Sequence, residues 1–284
     1  GAPAHGARQG RQAGKRDEPA RGDVLTLGVA AFRQGSGGAI NRPTQAKGSP
    51  MSVTPNPIFC ALDTVDEAHA ASLARGLKGS VGGVKLGMEF FYARGPQGYR
   101  AVAEAGVPIF LDLKLHDIPN TVAGGIRATL PLKPAIVNVH AAGGLAMMRA
   151  AADAAKEAGD ARPLVIAVTV LTSLDQSDLA ATGVIGTPAD HVLRLAHLAA
   201  QAGLDGVVCS AHEIERLRAE LGRDFKLIVP GIRPAGSDIG DQKRIMTPSD
   251  ALSRGADILV IGRPITGAAN PREAAEAINA SLAA

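Results

Sequence analysis

From residue 58 onward, short runs rich in Val and Ile alternate with stretches of helical period, and this alternation constrains the fold more than any other feature. The apolar runs at 58–63, 82–87, 108–114, 135–140, 164–171, 206–210, 226–231 and 258–263 predict eight strands. Helical patterns lie between them at 66–78, 95–105, 120–130, 144–158, 187–202, 212–221 and 248–254, with a closing helix at 271–282. Asp66, and Thr247 before Pro248, are sound helix starts; Gly159, Gly203 and Gly255 are sound stops. Strict alternation demands a parallel sheet covered by helices. Eight repeats in about 230 residues fit a closed (β/α)8 (TIM) barrel, an α/β fold, better than an open doubly wound sheet. A dinucleotide-binding open sheet would show Gly-x-Gly-x-x-Gly after the first strand, where Leu62-Asp63-Thr64-Val65 stands instead.

The N-terminal part differs from the rest. Residues 1–50 carry eight Lys/Arg against three acids, whereas residues 51–284 carry 22 basic and 24 acidic groups. The basic surplus therefore belongs to the tail, and the globular part lacks a basic nucleic-acid footprint. With one short apolar patch, Val24 to Phe32, the tail cannot build a core. It reads as a disordered N-terminal extension, or a remnant ahead of a native start at Met51, with residues 51–284 forming the barrel domain. No run reaches the 18 or so apolar residues of a membrane span. Cys60 and Cys209 lie far apart inside apolar runs, where they serve as small hydrophobes, and their usage fits a reducing cytoplasm.

In such a barrel, functional groups sit at the C-terminal ends of strands, and charge gathers there: Asp63, Lys85, Asp112 with Lys114, Arg233 and Arg263. The most informative segment is Phe110-Leu111-Asp112-Leu113-Lys114-Leu115-His116-Asp117-Ile118-Pro119-Asn120-Thr121. Period-two alternation sends Asp112 and Lys114 into the barrel mouth and Leu111 and Leu113 toward the helices. Asp117 falls past the strand end on a rim loop. A structural ion pair is the plain alternative, but burying opposite charges is seldom a net stability gain, so the cluster points to a site.

The run Asp112-x-Lys114-x-x-Asp117-Ile-Pro-Asn-Thr121 resembles the signature of the orotidine 5′-phosphate decarboxylase family. Ala61-Leu62-Asp63, Val84-Lys85-Leu86-Gly87, Val170-Leu171-Thr172-Ser173, Pro230-Gly231-Ile232-Arg233, Gly240-Asp241-Gln242 and Val260-Ile261-Gly262-Arg263 resemble its other motifs, in order. The resemblance covers about residues 56 to 282. It implies conversion of orotidine 5′-monophosphate to uridine 5′-monophosphate and carbon dioxide, the last step of de novo pyrimidine nucleotide synthesis. It further implies that Asp112, Lys114 and Asp117 are catalytic and that Asp63 and Lys85 hold ribose hydroxyls. Thr172 would contact the pyrimidine, and Arg233, Gln242, Gly262 and Arg263 the phosphate. Asp117 and Thr121 would reach the partner's site, which implies a homodimer with shared active sites. No membrane or nucleic-acid partner is expected.

Chemistry supports the transfer independently. Loss of carbon dioxide leaves an electron pair on a ring carbon with no carbonyl placed to delocalise it, so a fixed ammonium is the natural stabiliser. Lys114, held by carboxylates, fits that task and can deliver the proton. No cofactor motif and no Cys/His spacing suited to a metal is visible. His140, with Asn138 two before it, reads as a rim hydrogen-bonding residue, and His116 as support for its neighbours. The nearest rival is a magnesium-dependent sugar-phosphate decarboxylase or aldol-type synthase on the same barrel, and Lys85 argues against it, since those enzymes resemble one another in an acidic ligand there. A phosphate-binding barrel without turnover is the non-enzyme alternative.

Overall fold

The computed structural model describes Gly1, residues 56–234 and residues 246–282. The chain divides into two units, Gly1–Ala46 and Lys47–Ala284, and the second contains every element described here. In chain order these are β1 (Ile58–Ala61), α1 (Glu67–Gly76), β2 (Gly83–Gly87), α2 (Met88–Ala103), β3 (Ile109–Leu115), α3 (Pro119–Thr129), β4 (Ile136–His140) and α4 (Gly144–Lys156). There follow β5 (Leu164–Val168), α5 (Gln176–Ala181), α6 (Pro188–Gln201), β6 (Gly206–Val208), α7 (Ile214–Leu221), β7 (Lys226–Pro230), α8 (Pro248–Ser253), β8 (Ile258–Ile261), α9 (Arg263–Thr266) and α10 (Pro271–Leu282). All eight strands pair in parallel with their neighbours, and β8 returns to β1 through Ile58 opposite Leu259. The sheet is a closed (β/α)8 barrel.

Strand alternation sorts the core into two layers. Phe59, Phe110, Ile136, Ile166, Ile228 and Ile258 fill the barrel interior. Their sequence neighbours, such as Cys60, Leu111, Val137, Ala167, Leu227 and Leu259, pack outward against the helices. Cys60 and Cys209 are free and buried, and burial pushes the Cys60 thiol up to about 12. Among the described residues no helix is long and apolar enough to cross a membrane.

Local chemistry sets the element ends. Asp66 caps α1 by accepting the His69 N–H at 3.0 Å, and Thr247 before Pro248 caps α8 through Asp250. Gly203, two residues past α6, takes φ of 81°, the left-handed stop that glycine adopts cheaply. Within α2, Gly95 takes a non-helical φ of 58° and ψ of −158°, so two helical segments meet there at a kink: the second, opened by Pro96, is the helix expected at 95–105, and the first, from Met88, was not expected. Phe90, only 1% exposed, anchors the first segment. β5 stops at Val168, short of the expected 171; the next residue, Thr169, donates both its N–H and its Oγ1 to the Val208 carbonyl, at 3.3 and 2.8 Å. The short α5 and α9 were not expected; α5 is fixed by an Asp175–Asp178 capping box.

Charges at the two ends of the barrel behave differently. At the N-terminal end, Arg162 grips Asp205 at 2.5 Å and Arg218 grips Asp257 at 2.6 Å. Both acids also accept strand N–H groups, from Val165 and Leu227. These pairs staple neighbouring strands. At the C-terminal end the charges meet one another around an open mouth.

Candidate active site

The inward-facing positions of the first four strands supply the site. Lys85 lies inward on β2, Asp112 on β3 and Asn138 on β4, while Asp63 follows β1. Lys85 Nζ is 3.2 Å from Asp63 Oδ1 and 3.4 Å from Asp112 Oδ2. Lys114 Nζ donates to Asp112 Oδ1 at 2.6 Å. An acid, an ammonium, an acid and a second ammonium thus form one continuous chain across the mouth. Gly87 leaves it room: a methyl group there would sit 3.2 Å from Lys85 Nζ.

Burial grades this chain. The side chains of Lys85 and Asp112 are 11% and 10% exposed, Lys114 is 24% exposed, and Asp63 opens to solvent at 64%. Burial alone would lower the Lys85 pKa, but Asp112 and then Asp63 outweigh it and hold the ammonium above its ordinary range. Burial would likewise raise Asp112. Lys85, then Lys114, with hydrogen bonds from Lys114 and Asn138, instead hold its carboxyl below the usual carboxylate range. Both charges are therefore fixed at neutral pH.

The backbone at Lys114 departs from regular strand. Its φ is 52°, a left-handed conformation that costs a non-glycine residue of order 1–3 kcal/mol. The β3–β4 register shifts between Leu111 and Leu115, so Lys114 sits on a bulge. Its N–H donates to Asn138 Oδ1 at 2.7 Å, and Asn138 Nδ2 donates to Asp112 Oδ1 at 2.6 Å. Asn138, 1% exposed, lies deep and central in this group, whereas the sequence had drawn attention to it only as a neighbour of His140. The signal was an amide alternating with Val137 and Val139 on an inward position. His116 and His140 lie beside this group with ring centroids 5.6 Å apart and planes tilted by 37°.

The other predicted residues among those described lie beyond the C-terminal ends of β3, β5, β7 and β8. Arg233 follows β7, is 8% exposed and donates to the Ile232 carbonyl, and its N–H reaches the Met246 carbonyl at 3.0 Å. Gly262 closes β8 and leads into α9, whose first residue, Arg263, is exposed. Thr172 is half-buried in the loop after β5. Gln242 lies outside the described residues, as does all of the tail but Gly1. Asp117 and Thr121 are exposed. Asp117 Oδ1 accepts the Ile118 N–H at 2.6 Å, and among the described residues it forms no ion pair with Lys114. Within one chain, then, Asp112 and Lys114 meet and Asp117 stands apart. Among the described residues no three His, Cys, Asp or Glu side chains converge as a metal site requires.

Comparison with known proteins agrees on one group. The sequence model described as "Orotidine 5′-phosphate decarboxylase / HUMPS family" matches residues 56–278. An orotidine 5′-phosphate decarboxylase of Rhodospirillum rubrum is 57% identical over 235 residues, 81% of this chain and 95% of that protein. One from Paramagnetospirillum magneticum is 55% identical over 231 residues, covering 80% and 98%. The crystal structure of orotidine 5′-phosphate decarboxylase from Lactobacillus acidophilus superposes with a TM-score of 0.72 at 38% identity. It covers 81% of this chain and all (100%) of that one.

Proposed function

Because the chain belongs to the orotidine 5′-phosphate decarboxylase/HUMPS family, we propose how the residues of its barrel mouth divide the work of that chemistry. The protein decarboxylates orotidine 5′-monophosphate to uridine 5′-monophosphate and carbon dioxide in pyrimidine biosynthesis. In our reading Lys114 is the central group. As the bond to the departing carboxyl breaks, its electron pair stays on the ring carbon. The Lys114 ammonium stabilises that pair and then gives it a proton, leaving a neutral amine that solvent reprotonates. Asp112 orients the ammonium, and Lys85 holds Asp112 from the other side. Little must reorganise during the reaction, because the charges are already paired and fixed.

The observation that carries this reading is the Lys114 ammonium, 2.6 Å from a buried carboxylate yet open to the mouth. Asp63 and Lys85, 3.2 Å apart at the exposed end of the chain, suit the ribose hydroxyls. Thr172 serves the pyrimidine. Arg233, Gln242, Gly262 and Arg263 hold the phosphate, on the loops after strands seven and eight where barrels commonly bind it. Phosphate binding far from the reacting carbon then contributes to turnover through orientation. Asp117 and Thr121, both exposed in the single chain, complete the partner's site in a homodimer. The two free, buried cysteines suit a cytoplasmic setting.

The purified protein should bleach the absorbance of orotidine 5′-monophosphate at the same rate with and without a strong chelator. Turnover abolished by the chelator, and restored by magnesium, would instead indicate a metal-bound enediolate chemistry.

A further inference from the structure

We propose that Asn138 is a positioning residue for the decarboxylation: from β4 its amide fixes both the backbone that carries Lys114 and the carboxylate that Lys114 grips. The inference rests on the reading of Lys114 as the reacting ammonium.

Regular pairing would give the Lys114 N–H a main-chain acceptor on β4. The register shift between Leu111 and Leu115 removes the regular ladder there, and an orphaned buried N–H is costly. Asn138 Oδ1 accepts that N–H at 2.7 Å. Its Nδ2 donates at 2.6 Å to Asp112 Oδ1, the oxygen that also receives Lys114 Nζ at 2.6 Å. The contacts close a ring from the Lys114 backbone through Asn138 and Asp112 to the Lys114 ammonium. Lys114 is thereby held at both ends.

The chemistry selects asparagine. A backbone N–H can only donate and an ionised carboxylate can only accept, so the bridging group must accept on one arm and donate on the other. An amide does this, and only one of its two flip orientations satisfies both partners. Leucine offers neither arm. Aspartate keeps the acceptor but sets a second carboxylate against Asp112. Asn138 is 1% exposed, so its amide is shielded from bulk solvent. Both arms end on the reacting group or on its carboxylate partner, so loosening Asn138 displaces the ammonium while the phosphate contacts, on the loops after β7 and β8, stay in place.

Steady-state kinetics on orotidine 5′-monophosphate test this with Asn138→Ala, Asn138→Asp and Lys114→Ala, each checked for folding by circular dichroism. For Asn138→Ala the expectation is kcat lower by about 100-fold with KM changed by less than about threefold, since a misplacement near 1 Å costs on this order. Asn138→Asp adds a readout that a merely structural residue would not move. Its carboxyl would face Asp112 and Lys114 on β3, Lys85 on β2 and His140 on its own strand, while its pairing neighbour on β5 is the uncharged Ile166. Protonated, it regains the donor arm, so activity should recover on acidification, with an ionisation that the parent protein lacks.

Unchanged kcat in folded Asn138→Ala overturns the proposal, as does a pH profile of Asn138→Asp parallel to the parent's. If Asn138→Ala fails to fold, the near-isosteric aspartate variant decides through its profile. Full turnover by Lys114→Ala would refute the underlying reading of Lys114. An inert Lys114→Ala beside a fully active Asn138→Ala would refute only the role of Asn138.

Discussion

Asp112 accepts from two ammonium groups and an amide while almost fully buried, and no single partner explains why its charge is tolerated. Removing one partner of a buried pair costs about 3–5 kcal/mol because it strands the other charge. Each member of the mouth therefore depends on the next. The same crowding acts on His140. Its imidazole is held below the ordinary histidine range by burial first, then by His116 and the Lys114 ammonium. Protonation thus favours the unfolded chain. The stability this adds is whole above the unfolded value near pH 6.5 and is lost as pH falls toward the lower folded value. Urea unfolding should show the parent losing more stability than His140→Gln between about pH 7.5 and 5.5; equal losses would contradict this. Asp63, Lys85, Asp112 and Lys114 were legible in the sequence as strand-end charges, with Asp112 and Lys114 on one face of their strand. Asn138 carried a signal as an amide between Val137 and Val139, but its role depends on a register shift that no residue pattern announces.

Where strands meet, backbone proximity decides which side chains fit. Gly206 on β6 lies opposite Lys226 on β7, and a methyl group there would fall 2.1 Å from the Lys226 carbonyl oxygen. That neighbour is backbone and cannot swing aside. Gly206→Ala should destabilise the barrel by about 1–3 kcal/mol. Gly124, exposed on α3, has nothing within 4 Å of the same position. There alanine should stabilise by about 0.4–1 kcal/mol by restricting the unfolded chain. Thermal unfolding separates the two, with Tm moving roughly 2–4 °C per kcal/mol in opposite directions. A Tm of Gly206→Ala equal to the parent's would contradict the packing argument. Elements this regular were readable: all eight strands were legible from apolar runs, and α1 and α8 from Asp66 and Thr247. The break at Gly95-Pro96 inside α2 was readable, but the short segment before it, Met88 to Arg94, was not. The six residues of α5 and four of α9 are too short for a helical period to show.

For the molecule as a whole, the single chain leaves its proposed catalytic set incomplete. Asp117 is exposed and bonded to its own loop, beside an Ile118 that is 67% exposed. A symmetric dimer would use that surface twice, each chain completing the other's site. Lys114→Ala and Asp117→Asn should each be inactive alone. Unfolded together and refolded as a mixture, they should recover about a quarter of parental activity, since half of the dimers are mixed and each mixed dimer holds one intact site. No recovery in demonstrably mixed dimers would refute shared sites. Decarboxylation turns on one charge, and the most direct test replaces it. Lys114→Ala should still bind uridine 5′-monophosphate through the ribose and phosphate contacts, while kcat on orotidine 5′-monophosphate falls by on the order of 1,000-fold or more. Turnover within about tenfold of the parent, with nucleotide binding intact, would contradict the claim that this ammonium carries the reaction.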